Sequence, residues 1–241
     1  TYGGPQTFMM ADIAALQQMY GADFTTNAGN TVYKWNPLNG TTLVDGQAAL
    51  VAGGNKLFLT IWDGGGTDTY DFSAYTTAMR IDLAPGLASL ASTAQLADLG
   101  GGYTARGNVY NALQYQGDNR SLIENATGGS AADGLLGNLT ANTLHGGGGN
   151  DNLWGRRGDD ALYGDGGADL MYGEAGNDTY YVENAGDQVV EYSADHGFDT
   201  VYSSVSFTLG ANIETLRMVP GSGAVSLTGN DLGNELWATS D

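Results

Sequence analysis

The sequence predicts an all-β protein built on a parallel β-roll, flanked by β-sandwich-like strands and entered through one N-terminal docking helix. Three observations carry this expectation. An acid or Asn returns every nine residues at Glu124, Asp133, Asn142, Asp151, Asp160, Asp169, Asp178 and Asp187. A glycine keeps the same beat at Gly128, Gly137, Gly146, Gly155, Gly164 and Gly173. From Asp133 onward a large apolar residue follows each acid by two, at Leu135, Leu144, Leu153, Leu162, Met171, Tyr180 and Val189. A glycine-rich disordered linker has no reason to hold apolar residues in phase in this way.

Composition narrows the class. Eight Lys and Arg stand against 27 Asp and Glu in 241 residues, a formal charge of −19. That balance argues against nucleic acid and anionic membranes as partners and fits a cation-binding surface. With no cysteine, any staple must be something other than a disulfide, such as a metal. No run of 18 apolar residues is present, so no transmembrane helix is expected. Four prolines and 39 glycines point to turns and repeats rather than a proline-rich linker. The chain opens at Thr1 without Met or a signal peptide, which suggests a fragment or a processed product.

In chain order, residues 1–24 hold the helix. Over 7–21, Met9, Ile13, Leu16 and Tyr20 fall on one apolar face, with Thr7 as the expected N-cap and Gly21 as the stop. Residues 25–118 read as irregular β structure. TVYKW (31–35), KLFLTIW (56–62), TYDF (69–72) and MRIDL (79–83) are β-rich runs separated by Gly, Asn and Asp. A short helix is expected near 92–98. Residues 119–190 are the nonapeptide block. Residues 191–241 read as a β-rich spacer in which DTVYSSVSFTL (199–209) can pair with IETLRMV (213–219). GNDLGNELW (229–237) looks like the start of a second repeat array.

The best-preserved copies are GGGGNDNLW (146–154), GRRGDDALY (155–163), GDGGADLMY (164–172) and GEAGNDTYY (173–181). They follow G-G-x-G-x-D-x-U-x, with U large and apolar, a known signature of calcium-binding parallel β-helices. The first six residues suit a tight turn, because only glycine takes positive φ freely. The last three suit a short strand whose central residue points inward. Two copies then make one coil. Coils stack about 4.8 Å apart, so Asp151 lies beside Asp169 and Asp160 beside Asp178. Bare carboxylates in such columns repel, and a hard dication between them reverses the sign. Ca²⁺ takes six to eight oxygens at roughly 2.3–2.6 Å in loose geometry, which carboxylates and turn carbonyls can supply; Mg²⁺ demands a tighter octahedron. Zinc and copper would want His or Cys, and only His145 and His196 are present. His196 reads as a loop histidine. The ninth positions (Leu136, His145, Trp154, Tyr163, Tyr172 and Tyr181) read as an outer stacked ladder, or alternatively as a partner or carbohydrate surface.

These nonapeptides resemble the RTX β-roll of proteins exported by Gram-negative type I secretion. DIAALQQMYGAD (12–23), IWDGGGTDTYDFS (61–73) and IENATGGSAADGLLGN (123–138) resemble the C-terminal region of serralysin-type (M10) zinc metalloproteases. The resemblance implies ligand sets in which one turn supplies two carbonyls and its acid, and the turn two repeats later does the same. One ion would use Gly129, Ala131 and Asp133 with Gly146, Gly148 and Asp151. A second would use Gly147, Gly149 and Asp151 with Gly164, Gly166 and Asp169. On the opposite edge, Arg156, Gly158 and Asp160 would join Gly173, Ala175 and Asp178. There too Asn138, Thr140 and Asn142 would join Gly155, Arg157 and Asp160. A fifth would pair Asp165, Gly167 and Asp169 with Val182, Asn184 and Asp187. Glu124 stands at the head of the acid series. Neutral Asn142, non-glycine Ala131 and Thr140, and the Val182 turn should make the end sites weaker. The same resemblance gives the DGGGTD loop its own ion, through Asp63, Gly65 and Asp68, closed by Asn27, Gly29 and Thr31.

The HExxHxxGxxH zinc motif of serralysins is missing, so this chain is not expected to be an enzyme. The parent protein is expected to be a zinc metalloendopeptidase, with zinc confined to its catalytic domain. The resemblance implies calcium, that catalytic domain and the type I secretion machinery as partners, and an extracellular location. Two alternatives stand beside it: an adhesin or surface-layer RTX module, and the RTX tail of another secreted enzyme such as a lipase or epimerase. The helix favours the protease.

Overall fold

Leu153 lies in register between Leu135 on one side and Met171 on the other, and Leu162 lies in register between Leu144 and Tyr180. The nine-residue beat therefore folds as two parallel ladders joined by turns, with one repeat on each wall of a roll. The computed structural model describes residues 4–192, 197–222 and 226–238. All seven apolar repeat positions are buried between the walls, from Leu135 to Val189. Their neighbours in each strand point outward, as pleat geometry requires.

One wall is a five-stranded parallel sheet. It runs from Arg80–Asp82 through Gly134–Leu136, Asn152–Arg157 and Leu170–Ala175 to Gln188–Val189. The other wall has eleven strands. Its repeat members are Asn125–Thr127, Thr143–His145, Ala161–Tyr163 and Thr179–Val182. Upstream it continues through Thr69–Asp71 and Val32–Trp35, then turns antiparallel into Thr42–Val44 and Gln47–Leu50. The flanking strands are thus hydrogen-bonded to the roll. A three-stranded sheet of Leu59–Ile61, Val109–Asn111 and Ala88–Ser89 lies beside these upstream strands in sequence. An aromatic cluster fills the upstream core, where Trp35 stacks on Phe72 at 4.6 Å and meets Tyr70 edge-on at 5.1 Å.

Downstream, the same wall goes on. Thr200–Ser203 pairs in parallel with Thr179–Val182, Thr215–Met218 pairs with Thr200–Ser203, and Glu235–Trp237 pairs with Thr215–Arg217. The stretch read from sequence as a spacer and a new array is further coils of one solenoid. Val201 and Leu216 take the inward place of the repeat apolars and are fully buried. What changes is the coil length, which hides the continuation from a nine-residue search.

The helix spans Met10–Tyr20, shorter than the 7–21 expected, and its N-cap is Met9. Thr7 does not cap it. Its hydroxyl instead accepts from Thr60 N at 2.7 Å and reaches Thr60 O, tying the entry segment to Leu59–Ile61. Gly21 ends the helix at φ 85°. Of the expected apolar face, Leu16 and Tyr20 are exposed, and Gln17 is the helix's buried residue. The helix expected near 92–98 is only a 3-10 turn, Thr93–Gln95, with Gln95 buried. Its amide is held by Asn36, Pro37 and Asn55, so long-range side-chain bonds fix the segment.

The ninth positions do form outer ladders. His145, Tyr163 and Tyr181 stack at 4.2 and 3.9 Å, Tyr202 follows at 5.4 Å, and Trp154, Tyr172 and Tyr192 stack on the other wall. Offset aromatic stacking adds about 0.5–1.5 kcal/mol per pair beyond area burial. Leu153→Ala should cost about 2–5 kcal/mol, because a close-packed wall on both sides cannot collapse into the cavity. Denaturant unfolding measures it, and a loss below that range would mean the interior is not close-packed.

Candidate functional site

Each repeat acid sits where its turn meets its strand, so the 18-residue coil stacks acids of alternate repeats. From Asp133 to Asp178, the backbone N–H at each acid position donates to the carboxylate one coil on. On one edge Asp133 N bonds Asp151 Oδ1 at 2.7 Å, Asp151 N bonds Asp169 Oδ1 at 2.8 Å, and Asp169 N bonds Asp187 Oδ1 at 3.1 Å. On the other, Asn142 N bonds Asp160 Oδ1 at 2.7 Å and Asp160 N bonds Asp178 Oδ1 at 2.8 Å. Half of each carboxylate is therefore used by the fold itself.

The other oxygen separates the sites. Among the described residues, the second oxygens of Asp151, Asp160, Asp169 and Asp178 are buried and lack any hydrogen-bond partner. The end members differ. Asp133 Oδ2 accepts from Gly129 N, Asp187 Oδ2 accepts from Asn184 N, and Asn142 uses Oδ1 for Asn138 N and Nδ2 for Glu124 O. A buried acceptor left unpaired costs about 1–3 kcal/mol, and more when charged. The ion pairs among the described residues go to Asp71, Asp82, Asp118 and Asp165, none of them one of these four acids. Burial pushes the Asp160 carboxyl up to about 8, those of Asp151 and Asp178 to about 7 and that of Asp169 to about 6, with neighbouring acids adding to the shift. Burial raises Asp133 as well. Four orphaned, buried oxygens in the intact glycine turns fit a hard cation chelated by oxygen.

The turn backbone is shaped for this. Gly147, Gly149, Gly158 and Gly167 have φ of 93°, 117°, 105° and 151°. A Cβ on Gly167 would overlap the carbonyl oxygen of Gly149 in the coil beneath, so the spacing between coils excludes any side chain there. Several carbonyls that the RTX resemblance assigns to ions also accept bonds between coils. Gly129 O takes Gly148 N, Gly147 O takes Gly166 N, Gly166 O takes Gly149 N, and Ala175 O takes Gly158 N. A carbonyl has two lone pairs, so this use leaves one free. The Gly128, Gly137 and Gly146 amides donate to the carbonyls of His145, Trp154 and Tyr163 in the next coil. The Arg156 guanidinium bonds Asp82 and Gly137 O, pinning its turn to the upstream wall. Ala131 and Thr140 face the Gly149 and Gly158 turns in the adjacent coils. Arg157 N donates to Asn138 O.

The structure brings the first-loop residues together. Thr31 N donates to Asp68 Oδ1 at 2.8 Å, the Thr31 hydroxyl reaches the Asn27 and Gly29 carbonyls, and Gly65 N donates to Asp63 Oδ1. Asp63 and Asp68 are fully buried, and Asp68 Oδ2 has no partner. Burial raises both, Asp68 to about 7. Glu124 belongs here too: Asp68 N donates to its Oε2 at 2.7 Å, so the loop is the upstream end of the second column. Tyr33 was missed from sequence; its hydroxyl donates to Asp63 Oδ2 at 2.7 Å and accepts from Asn27 Nδ2. Also missed were Asp199 and Glu214, which continue the column past the repeats at separations of 21 and 15 residues. His196 lies outside the described residues.

The family described as peptidase M10 serralysin C terminal matches residues 22–219. The chain belongs to this family. Metalloprotease AprA of Pseudomonas entomophila is 38% identical over 136 residues, which are 56% of this chain and 24% of that protein. Serralysin of Photorhabdus laumondii is 39% identical over 136 residues, and Serralysin C of Dickeya chrysanthemi is 40% identical over 138 residues, with similar coverage. The chain thus spans about a quarter of each relative. The serralysin C-terminal match takes in the first loop, both columns and the added coils through Glu214.

Two outcomes follow for this serralysin C-terminal chain. These carboxyls titrate higher in the ion-free fold than in the unfolded chain, where Asp lies near 3.8. The fold then binds more protons than the unfolded chain, so ion-free stability falls as pH rises through roughly 4 to 8. Metal-stripped protein should be more folded at pH 5 than at pH 8 by circular dichroism; the opposite trend would remove the buried-carboxylate argument. Asp160→Asn keeps a side-chain oxygen that can accept from Asn142 N, as Asp160 Oδ1 does. It should raise the stability of the ion-free fold by about 1–3 kcal/mol, read from thermal melts of metal-stripped protein; a lower melting temperature would count against the orphaned-oxygen argument.

Proposed function

We propose that this chain is the calcium-binding C-terminal region of a secreted serralysin-like zinc metalloprotease, folding on calcium after type I export from a Gram-negative cell. The supporting observation is the set of orphaned, buried oxygens on Asp151, Asp160, Asp169 and Asp178, stacked coil on coil. Calcium supplies two positive charges and accepts many oxygens in loose geometry. Asp151, Asp160, Asp169 and Asp178, with the glycine-turn carbonyls, would hold it in the roll, and Asp63, Asp68 and Glu124 would hold it in the first loop. Mg²⁺ holds its own waters too firmly for so irregular a shell.

In this reading ion binding and folding are one equilibrium. In a low-calcium cytosol the carboxylates repel and the chain stays open for export. Outside the cell, calcium near the 10⁻⁴–10⁻³ M range of extracellular modules closes the roll. Zinc belongs to the catalytic domain that would precede Thr1. Phe8, Met19 and Tyr20 are exposed at the entry helix, the surface such a domain would cover. No helix among the described residues is long and apolar enough to cross a membrane.

Circular dichroism with and without EGTA tests the folding step. A large gain of β signal on adding calcium, not reproduced by magnesium, is expected, and an unchanged spectrum overturns the proposal. Reading the parent gene upstream of Thr1 tests the protease assignment, which requires HExxHxxGxxH there.

A further inference from the structure

The acid column does not stop at the last intact nonapeptide. Asp178 N donates to Asp199 Oδ1 at 2.8 Å, and Asp199 N donates to Glu214 Oε2 at 2.8 Å. Glu191 stands two beats after Gly173, at a position that carries glycine in the intact repeats. A carboxylate therefore occupies the place where those turns offer only backbone. One oxygen each of Asp178, Glu191 and Asp199 lies within 4.8 Å of the others, and all three residues are buried. Asp178 is 1% exposed and Glu191 6%.

Two independent features show that this is a built site. Asp178 Oδ2 and Glu191 Oε2 are buried without a hydrogen-bond partner. Tyr180, the tyrosine among the repeat apolars, turns its hydroxyl into the cluster. It donates to Glu191 Oε1, leaving Oε2 unengaged, and accepts from Gly173 N at 2.7 Å. The Gly173 amide is thus held by a side chain, where Gly128, Gly137 and Gly146 bond a backbone carbonyl of the next coil. The hydroxyl and Asp178 Oδ2 both lie on the Cβ side of Gly173.

We propose that Asp178, Glu191 and Asp199 form a further hard-cation site, with Tyr180 orienting Glu191, that closes the roll onto the irregular coils beyond it. Three buried carboxylates this close repel one another and have lost hydration, a cost that a bound cation offsets. The charge count sets the preference. A repeat turn pair brings two carboxylates, whereas this site brings three, so it favours calcium over monovalent ions and trivalent lanthanides over calcium. The site rests on the calcium reading for the identity of its natural ion.

The test is an ion count on the full chain, by calorimetry and elemental analysis with calcium as the probe. Glu191→Gln should bind one calcium fewer per chain while keeping its calcium-induced β signal. An unchanged count and affinity would overturn the site while leaving the repeat reading intact. No calcium uptake by the unaltered chain would overturn both. Tyr180→Phe keeps all three carboxylates and gives a second readout that does not depend on how Glu191→Gln folds. The first equivalent of terbium should show tyrosine-sensitised emission in the unaltered chain and lose much of it in Tyr180→Phe. Equal emission from the two would place the first ion elsewhere and overturn the proposal.

Discussion

Stacking puts like charges in line: every coil of the roll sets a buried carboxylate directly above another, one strand spacing away. Burial in the dry turn removes the water that would tolerate this, and the backbone satisfies only one oxygen each of Asp151, Asp160, Asp169 and Asp178. The apolar interior cannot close without bringing these acids together, because the same parallel register that pairs Leu153 with Met171 pairs Asp151 with Asp169. In the proposed reading, folding and charge neutralisation are coupled for that reason. Protons can supply the neutralisation at low pH and a divalent cation can supply it at neutral pH, so the titration behaviour and the proposed calcium dependence share one cause.

The glycines and the aromatic ladders are consequences of that stack. Coils held at strand spacing bring the Gly167 turn against the Gly149 carbonyl, which excludes any side chain there. The same spacing brings His145, Tyr163, Tyr181 and Tyr202 into van der Waals stacking along the outside. The Arg156–Asp82 pair and the Glu124–Asp68 bond carry the stack into the upstream strands. The chain therefore has one continuous wall from Val32 to Trp237 rather than a roll with appendages.

Legibility in the sequence followed regularity. Asp133 to Asp187, their glycines and the inward Leu, Met and Tyr positions could all be placed from the period alone, since a fixed period has one stacking solution. The DGGGTD loop came from family resemblance, and the structure gathers its residues around Asp63 and Asp68. Tyr33 and Glu191 were not visible. Tyr33 lies 30 residues before Asp63, and Glu191 occupies a beat position with the wrong residue type. Thr7 was misplaced as a helix cap because its partner, Thr60, is a long-range one.

The sequence by itself determined the period, and with it the parallel coil, the buried apolar line and the stacking of acids at every second repeat. A nine-residue rule is local information, and local information suffices where each coil contacts only its neighbours. Tertiary structure alone decided where the column ends. Asp199 and Glu214 join it across coils of 21 and 15 residues, because strand pairing and burial of Val201 and Leu216 hold the register while the loops between vary freely in length. It also decided which oxygens are left without partners, since that depends on which backbone N–H each turn can turn inward.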